Sequence, residues 1–305
     1  MRPRGRWAWV LTLAVLPSAC ADADFPVDGA RAHRRVVFQV DAGPRIPGTP
    51  GHRAVRQWIA AELARLGGQV RLQTFVDSTL GAPESLTNLI GRWEPKRGAD
   101  RPPLVLCAHY DTRHIADQDP DSARRGMPVP GANDGGSGVA VLLEVAELLA
   151  KRPPPRTIEL VFFDGEDQGR TSQAETYSRG ARGYAARLET KPRAAVLFDM
   201  VGDRDLAIHP EINSVERAAS LASLVVTAAR AVRAQHFFDE PRYHMTDDHI
   251  PLLDAGIPAV DVIDFDYPAW HTTQDLPDQV APESLAEVAR VAAWLVYQSP
   301  LAKAP

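Results

Sequence analysis

Cysteine is nearly absent: Cys20 and Cys107 are the only two in 305 residues. Two thiols supply neither a disulfide framework nor a four-thiolate zinc site. Cys107 sits in the apolar run Leu104-Val105-Leu106-Cys107-Ala108 and reads as a buried, inert thiol. Long apolar runs are also missing beyond residue 20, where no segment approaches the roughly 20 residues of a membrane-spanning helix. Charge of one sign is not concentrated anywhere. The formal net charge is −5, with no basic stripe for nucleic acid and no acidic block for a solvated tail. No internal repeat is visible, which excludes solenoids and propellers. What remains is globular composition, long enough for one large α/β domain.

The first twenty residues stand apart. Arg2, Arg4 and Arg6 precede an apolar stretch over 7–16, and then Pro17-Ser18-Ala19-Cys20 offers small residues for cleavage. This is the pattern of an export signal, leaving 21–305 as a single catalytic domain that is periplasmic, secreted or lipid-anchored to a bacterial membrane. Cys20 occupies the place of an acylated lipoprotein cysteine, although Leu16 lies one position too early for that signal. A lipid anchor at Cys20 and simple cleavage both remain open.

Along the rest of the chain, apolar strands alternate with amphipathic helices. The prolines and glycines of Gly43-Pro44-Arg45-Ile46-Pro47-Gly48-Thr49-Pro50 fix an extended loop, and a helix follows from His52 to Gly67-Gly68. Residues 70–75 and 86–93 read as an edge pair of strands. Further strands are expected over 104–108, 157–163, 194–198 and 258–263, and helices over 135–150, 215–234 and 284–297. Residues 113–130 read as a surface loop. The expected fold is α/β, a three-layer sandwich with a mainly parallel central sheet flanked by helices.

The chemistry gathers at strand ends. Asp134 lies in a glycine-rich loop before a helix, Glu166 and Asp167 follow an apolar strand, and His271 follows Pro268-Ala269-Trp270. Two carboxylates and an imidazole suit a catalytic zinc, which needs about three protein ligands and an open position. Glu166, adjacent to one ligand, is placed to shuttle a proton. His249 reads as a structural histidine pinning its loop, His52 and His114 as exposed, and Glu211 and Ser214 as candidate caps of the following helix, Ser214 being suited to an N-cap. Asp164 is either a supporting partner of the site or a turn residue. Trp270 reads as a pocket wall.

Taken together, Ala108-His109-Tyr110-Asp111, Gly131-Ala132-Asn133-Asp134-Gly135-Gly136-Ser137-Gly138, Glu166-Asp167, Asp199 and His271 resemble the zinc aminopeptidases of the bacterial leucyl-aminopeptidase type. Phe162-Phe163-Asp164-Gly165-Glu166, Asp247-Asp248-His249-Ile250-Pro251-Leu252, Gly256-Ile257-Pro258 and Trp270-His271-Thr272 look most like the glutaminyl-peptide cyclotransferase branch. The resemblance implies one zinc on Asp134, Asp167 and His271, and Glu166 as general base and acid. It also implies Asp199 and Asp247 as a hydrogen-bonded carboxylate pair and Trp270 as the substrate wall. In dinuclear relatives Asp134 bridges two metals, with His109 and Asp199 completing the second site and Asp111 orienting His109. The implied substrate is a peptide or protein N-terminus. Three readings follow: cyclisation of N-terminal glutamine to pyroglutamate with release of ammonia, zinc-dependent aminopeptidase hydrolysis, or a catalytically dead binding ectodomain. Asp261 departs from the histidine common in animal cyclases, and Asp167 from the commoner glutamate.

Overall fold

A computed structural model describes residues 25–96 and 102–302. The expected export signal over residues 1–20, with Cys20, lies outside these residues. The elements run α1 (Gly29–Asp41), α2 (Pro50–Arg65), β1 (Gln69–Asp77), β2 (Glu84–Trp93), β3 (Leu104–His109), α3 (Ser137–Lys151) and β4 (Ile158–Phe163). They continue with α4 (Arg179–Ala185), β5 (Ala194–Asp199), α5 (Ile212–Ala231), α6 (His249–Asp254), β6 (Ala259–Ile263) and α7 (Pro282–Tyr297).

One mixed sheet has the order β1-β2-β4-β3-β5-β6. β4, β3, β5 and β6 are mutually parallel, while β1 pairs antiparallel with β2 and β2 with β4. Every residue of the four parallel strands is buried, because helices cover both faces of this part of the sheet. A Cβ added to Gly138 of α3 would meet the Ala108 methyl at 2.8 Å, so Ala108 faces α3. Side-chain alternation then turns Cys107 to the opposite face, where α4 and α6 pack.

Local chemistry explains the helix starts. Thr49 accepts the His52 N–H and Pro50 occupies the first helical turn of α2. Residues 36–40, whose apolar run lacks a helical period, form the second half of α1. The short helices α4 and α6 also escape a periodicity argument, since each spans barely two turns. The stretch 113–130 is not simply a surface loop: Arg113 and Asp119 are buried, because it folds back over the sheet's carboxyl end.

The chain leaves β3 for β4 on one side and then crosses back to β5 on the other. That reversal opens a crevice outside the carboxyl end of β3, where α/β sheets hold their ligands.

Candidate metal centre and active site

Asp134 is delivered by the loop between β3 and α3. Gly131 and Gly135 there have φ of 72° and 75°, and a Cβ on Gly135 would lie 2.3 Å from the Asp111 carbonyl oxygen. Only glycine fits that turn without strain. The loop is fastened from two sides. Asp275 accepts the N–H groups of Asn133 and Asp134 at 2.8 and 3.1 Å, and fully buried Arg45 donates to the carbonyls of Tyr110, Pro130, Gly131 and Asp134. Burial pulls the Arg45 guanidinium down to about 10 against the attraction of the surrounding acids.

Glu166 and Asp167 follow β4 through Gly165, with φ 70°. Asp111, at the end of β3, accepts the backbone N–H of Glu166 at 3.0 Å, that of Asp167 at 3.2 Å and the Gln168 amide at 3.0 Å. Burial raises the Asp111 carboxyl, but His109 and these donors overcome it and hold it down at about 2.

His271 has φ 54°, an uncommon conformation for a non-glycine residue. Its Nδ1 lies 3.2 Å from Asp117 Oδ1, while Nε2 lies 3.2 Å from Asp167 Oδ1 and 3.7 Å from Asp134 Oδ2. Asp117 in turn takes two donations from Arg113, at 2.8 and 3.0 Å. A carboxylate behind a ligating histidine is the usual device for fixing the ring.

The structure therefore brings Asp134, Asp167 and His271 together, each offering a ligand atom within 4.8 Å of the others. A second group, His109, Asp134 and Asp199, meets the same criterion and shares Asp134. His109 Nε2 is 3.1 Å from both Asp134 Oδ1 and Asp199 Oδ1, and its Nδ1 is 3.6 Å from Asp111. In the first group Asp167 Oδ2 is buried without any hydrogen-bond partner. A buried carboxylate oxygen left unpartnered beside a second acid and an imidazole fits a divalent cation, and the N/O donor set suits Zn²⁺.

A cleft of about 440 Å³ opens over these groups, lined by Glu166, Asp199, Asp247, Met245, Phe265 and Trp270 as well as the three candidate ligands. Trp270 stacks on His271 at 4.0 Å and meets Phe265 edge-on at 4.9 Å. Burial, and then the Asp247 charge, push the Glu166 carboxyl well above its ordinary value. Burial and Asp199 raise Asp247 to about 7.

Behind the cleft lie more acids than the sequence reading used. Asp199 and Asp247 repel one another but do not share a hydrogen bond: Asp247 Oδ1 accepts the Asp248 N–H at 2.5 Å and Oδ2 has no partner. Asp261 on β6 is buried with both carboxyl oxygens unpartnered, and burial followed by the charges of Asp247 and Asp199 raises it well above its ordinary value. The expected Asp199–Asp247 hydrogen bond is not formed; Asp199 Oδ1 lies 3.1 Å from His109 Nε2 instead.

One smaller expectation is also corrected. His52 is buried, with Nε2 2.8 Å from Asp164 Oδ1, and Asp164 also accepts the Thr87 N–H, so Asp164 ties α2 and β2 to the loop carrying Glu166. Of the two candidate caps of α5, Glu211 takes the N-cap position and Ser214 lies inside the helix, donating to it. His249 is fully buried, 3.2 Å from Glu211. Asp117, Arg113, Arg45, Gln168 and Asp275 were missed; apart from the i,i+4 pair Arg113–Asp117, they act on residues far away in sequence, where no local spacing marks them.

A parallel-sheet crevice carrying two carboxylates, an imidazole and a buried glutamate defines a candidate metal-dependent active site. Residues 88–296 match Peptidase family M28, and the chain belongs to that family. It is 28% identical over 282 residues to a glutaminyl-peptide cyclotransferase-like protein of Bos taurus, covering 82% of this chain and 70% of that one. The crystal structure of Bacteroides thetaiotaomicron glutaminyl cyclase bound to N-acetylhistamine superposes with a TM-score of 0.84 at 31% identity, covering 89% of this chain and 98% of that one. A leucine aminopeptidase precursor from the same organism superposes with a TM-score of 0.84 at 32% identity, covering 89% and 97%.

Proposed function

We propose that this protein is a zinc-dependent glutaminyl-peptide cyclotransferase, converting the N-terminal glutamine of peptides to pyroglutamate and releasing ammonia. The observation that carries it is the single cleft in which Asp134, Asp167 and His271 converge beside Glu166, with Trp270 as an aromatic wall. The cyclotransferase relatives support the same reading.

Asp134, Asp167 and His271 would hold one zinc. When bound, it supplies a Lewis acid that polarises the γ-carboxamide oxygen of the substrate glutamine. The peptide's own α-amine attacks that carbon, forming the ring C–N bond. Glu166 takes the amine proton and returns it to the departing nitrogen, so the C–NH₂ bond breaks and ammonia leaves. Burial raises the Glu166 carboxyl above its ordinary value, which makes its conjugate carboxylate a stronger base toward the amine proton. Asp199 and Asp247 line the same cleft and would orient the amine, and Trp270 would exclude water from one side.

His109 is arranged as His271 is, its ring nitrogens facing Asp111 on one side and Asp134 and Asp199 on the other, so the second group does not by itself discriminate one metal from two. The aminopeptidase reading draws on that same second group, which with a metal would give a dinuclear site. Residues 1–20 support export, with lipid attachment at Cys20 as the alternative to plain cleavage.

The test is mass spectrometry on one mixture of a Gln-initiated and a Leu-initiated peptide, with and without chelator. Chelator-sensitive loss of ammonia from the Gln peptide alone supports the cyclase. Release of leucine would establish the aminopeptidase instead.

A further inference from the structure

Met245, Thr246 and Asp247 form one wall of the cleft, yet residues 241–247 belong to no helix or strand. A loop that lines an active site must be held from outside, and here the start of α5 holds it. The two segments first run side by side: Arg242 N–H donates to the Pro210 carbonyl at 2.9 Å and Ile212 N–H to the Tyr243 carbonyl at 3.0 Å. Side chains then take over. Met245 N–H donates to Glu211 Oε1 at 2.9 Å, and Asn213 Nδ2 donates to the Met245 carbonyl at 2.7 Å. Both backbone polar groups of Met245 are thereby gripped by the same helical turn.

Glu211 is otherwise fully engaged. It accepts the N–H groups of Asn213 and Ser214 at 2.9 and 2.7 Å and the Ser214 hydroxyl at 2.7 Å, and it faces His249 Nε2 at 3.2 Å. The Ser214 hydroxyl oxygen accepts the Asp261 N–H at 3.0 Å, which fastens β6 to the same point. Glutamate lies outside the preferred N-cap set of Ser, Thr, Asp and Asn. Capping alone therefore does not explain it. The extra methylene lets one carboxylate satisfy the helix and still reach Met245. Burial opposes the charge, but His249 and the N–H donors hold Glu211 down at about 2, leaving both oxygens free to accept.

We infer that the first turn of α5 is a clamp on the cleft wall, with Glu211 and Asn213 acting as positioning residues for Asp247. Only the activity part of this inference rests on the cyclase reading.

The experiment compares the full-length zinc-loaded protein with Asn213→Ala, Asn213→Asp and Glu211→Gln. Arg217→Ala, on the exposed side of α5, serves as control. Hydrogen exchange over residues 243–249 reads the clamp directly, and kcat and KM for a Gln peptide read its consequence. Asn213→Asp keeps the side-chain shape but cannot donate to Met245, so it should behave like Asn213→Ala. Expected is exchange over 243–249 faster by about tenfold, with α7 unchanged, as one net hydrogen bond is lost. The kcat should fall by about 10- to 100-fold with a smaller change in KM, as misplacement of a reacting-site group does. Unchanged exchange in Asn213→Ala overturns the clamp, whatever the activity. Faster exchange with wild-type kcat overturns the positioning role. If the wild-type protein does not cyclise Gln peptides, the cyclase reading fails and the exchange result alone decides the clamp. If Glu211→Gln does not fold, the two Asn213 variants carry the test.

Discussion

One carboxylate, that of Asp111, receives the backbone N–H of Glu166 at 3.0 Å, so the end of β3 sets the position of the buried glutamate that follows β4. The same carboxylate takes the N–H of Asp167. A candidate base and a candidate ligand are thus hung from one anchor, which keeps their spacing fixed even though both lie on a loop.

Removing that anchor should affect both. Asp111→Ala leaves several buried donors unpaired, which costs on the order of 3 kcal/mol of stability. Zinc affinity should also fall by about 10- to 100-fold, as it does when the support of a ligand is lost. Denaturant unfolding and a zinc competition assay check the two effects separately. Wild-type zinc affinity in a folded variant would contradict the anchoring role.

Glu166→Gln should retain zinc and lose turnover by about 10²- to 10⁴-fold, because the amide cannot carry a proton between amine and leaving group. Metal analysis and single-turnover kinetics on the same preparation read this. Retained turnover would remove Glu166 from the mechanism.

His271→Ala should lose zinc outright, since only two carboxylates of the candidate triad remain. Asp199→Ala leaves that triad whole and should keep one equivalent of zinc. Stoichiometric zinc in His271→Ala would show the ligand set to be wrong.

Metal-free protein should be more stable at pH 5 than at pH 8. Burial raises Asp247 and Asp275 to about 7 and Asp264 to about 6 from an ordinary 3.8. His271 is raised from 6.5 to about 9: burial lowers it, but Asp167 and Asp117 outweigh that. In every case the folded state binds more protons than the unfolded state, so stability falls as pH rises through these windows. For the carboxyls the fall lies between about 4 and 7, and for His271 between 6.5 and 9. Chemical denaturation of chelator-treated protein at the two pH values reads the sign. Zinc should narrow the difference, because His271 must lose its proton to ligate.

Trp270→Ala should raise KM for Gln peptides by about tenfold, through loss of the aromatic wall over the cleft. Zinc content should be unchanged. A variant with unaltered KM would make Trp270 a packing partner of Phe265 and His271 only.

The parallel core is legible in the chain's own pattern, because 104–108, 157–163, 194–198 and 258–263 are short apolar runs between helical patterns, and these lie within or overlap β3, β4, β5 and β6. The sequence also marked Asp134, Asp167 and His271, since acids and histidines directly after apolar strands or before a helix point to the sheet's carboxyl rim. Tertiary structure alone decided what holds them. Arg45 reaches the Asp134 loop from far upstream, Asp117 and Arg113 back His271, and Asp275 fastens the Asn133 and Asp134 amides. Such contacts join residues whose sequence neighbours carry no periodic trace of them. Only the fold showed that Asp199 faces His109 rather than bonding Asp247, and that His52, expected at the surface, is buried against Asp164. Hydrophobic periodicity reports which face of an element is covered, whereas the partner of a buried charge is set by chain crossings that periodicity does not encode.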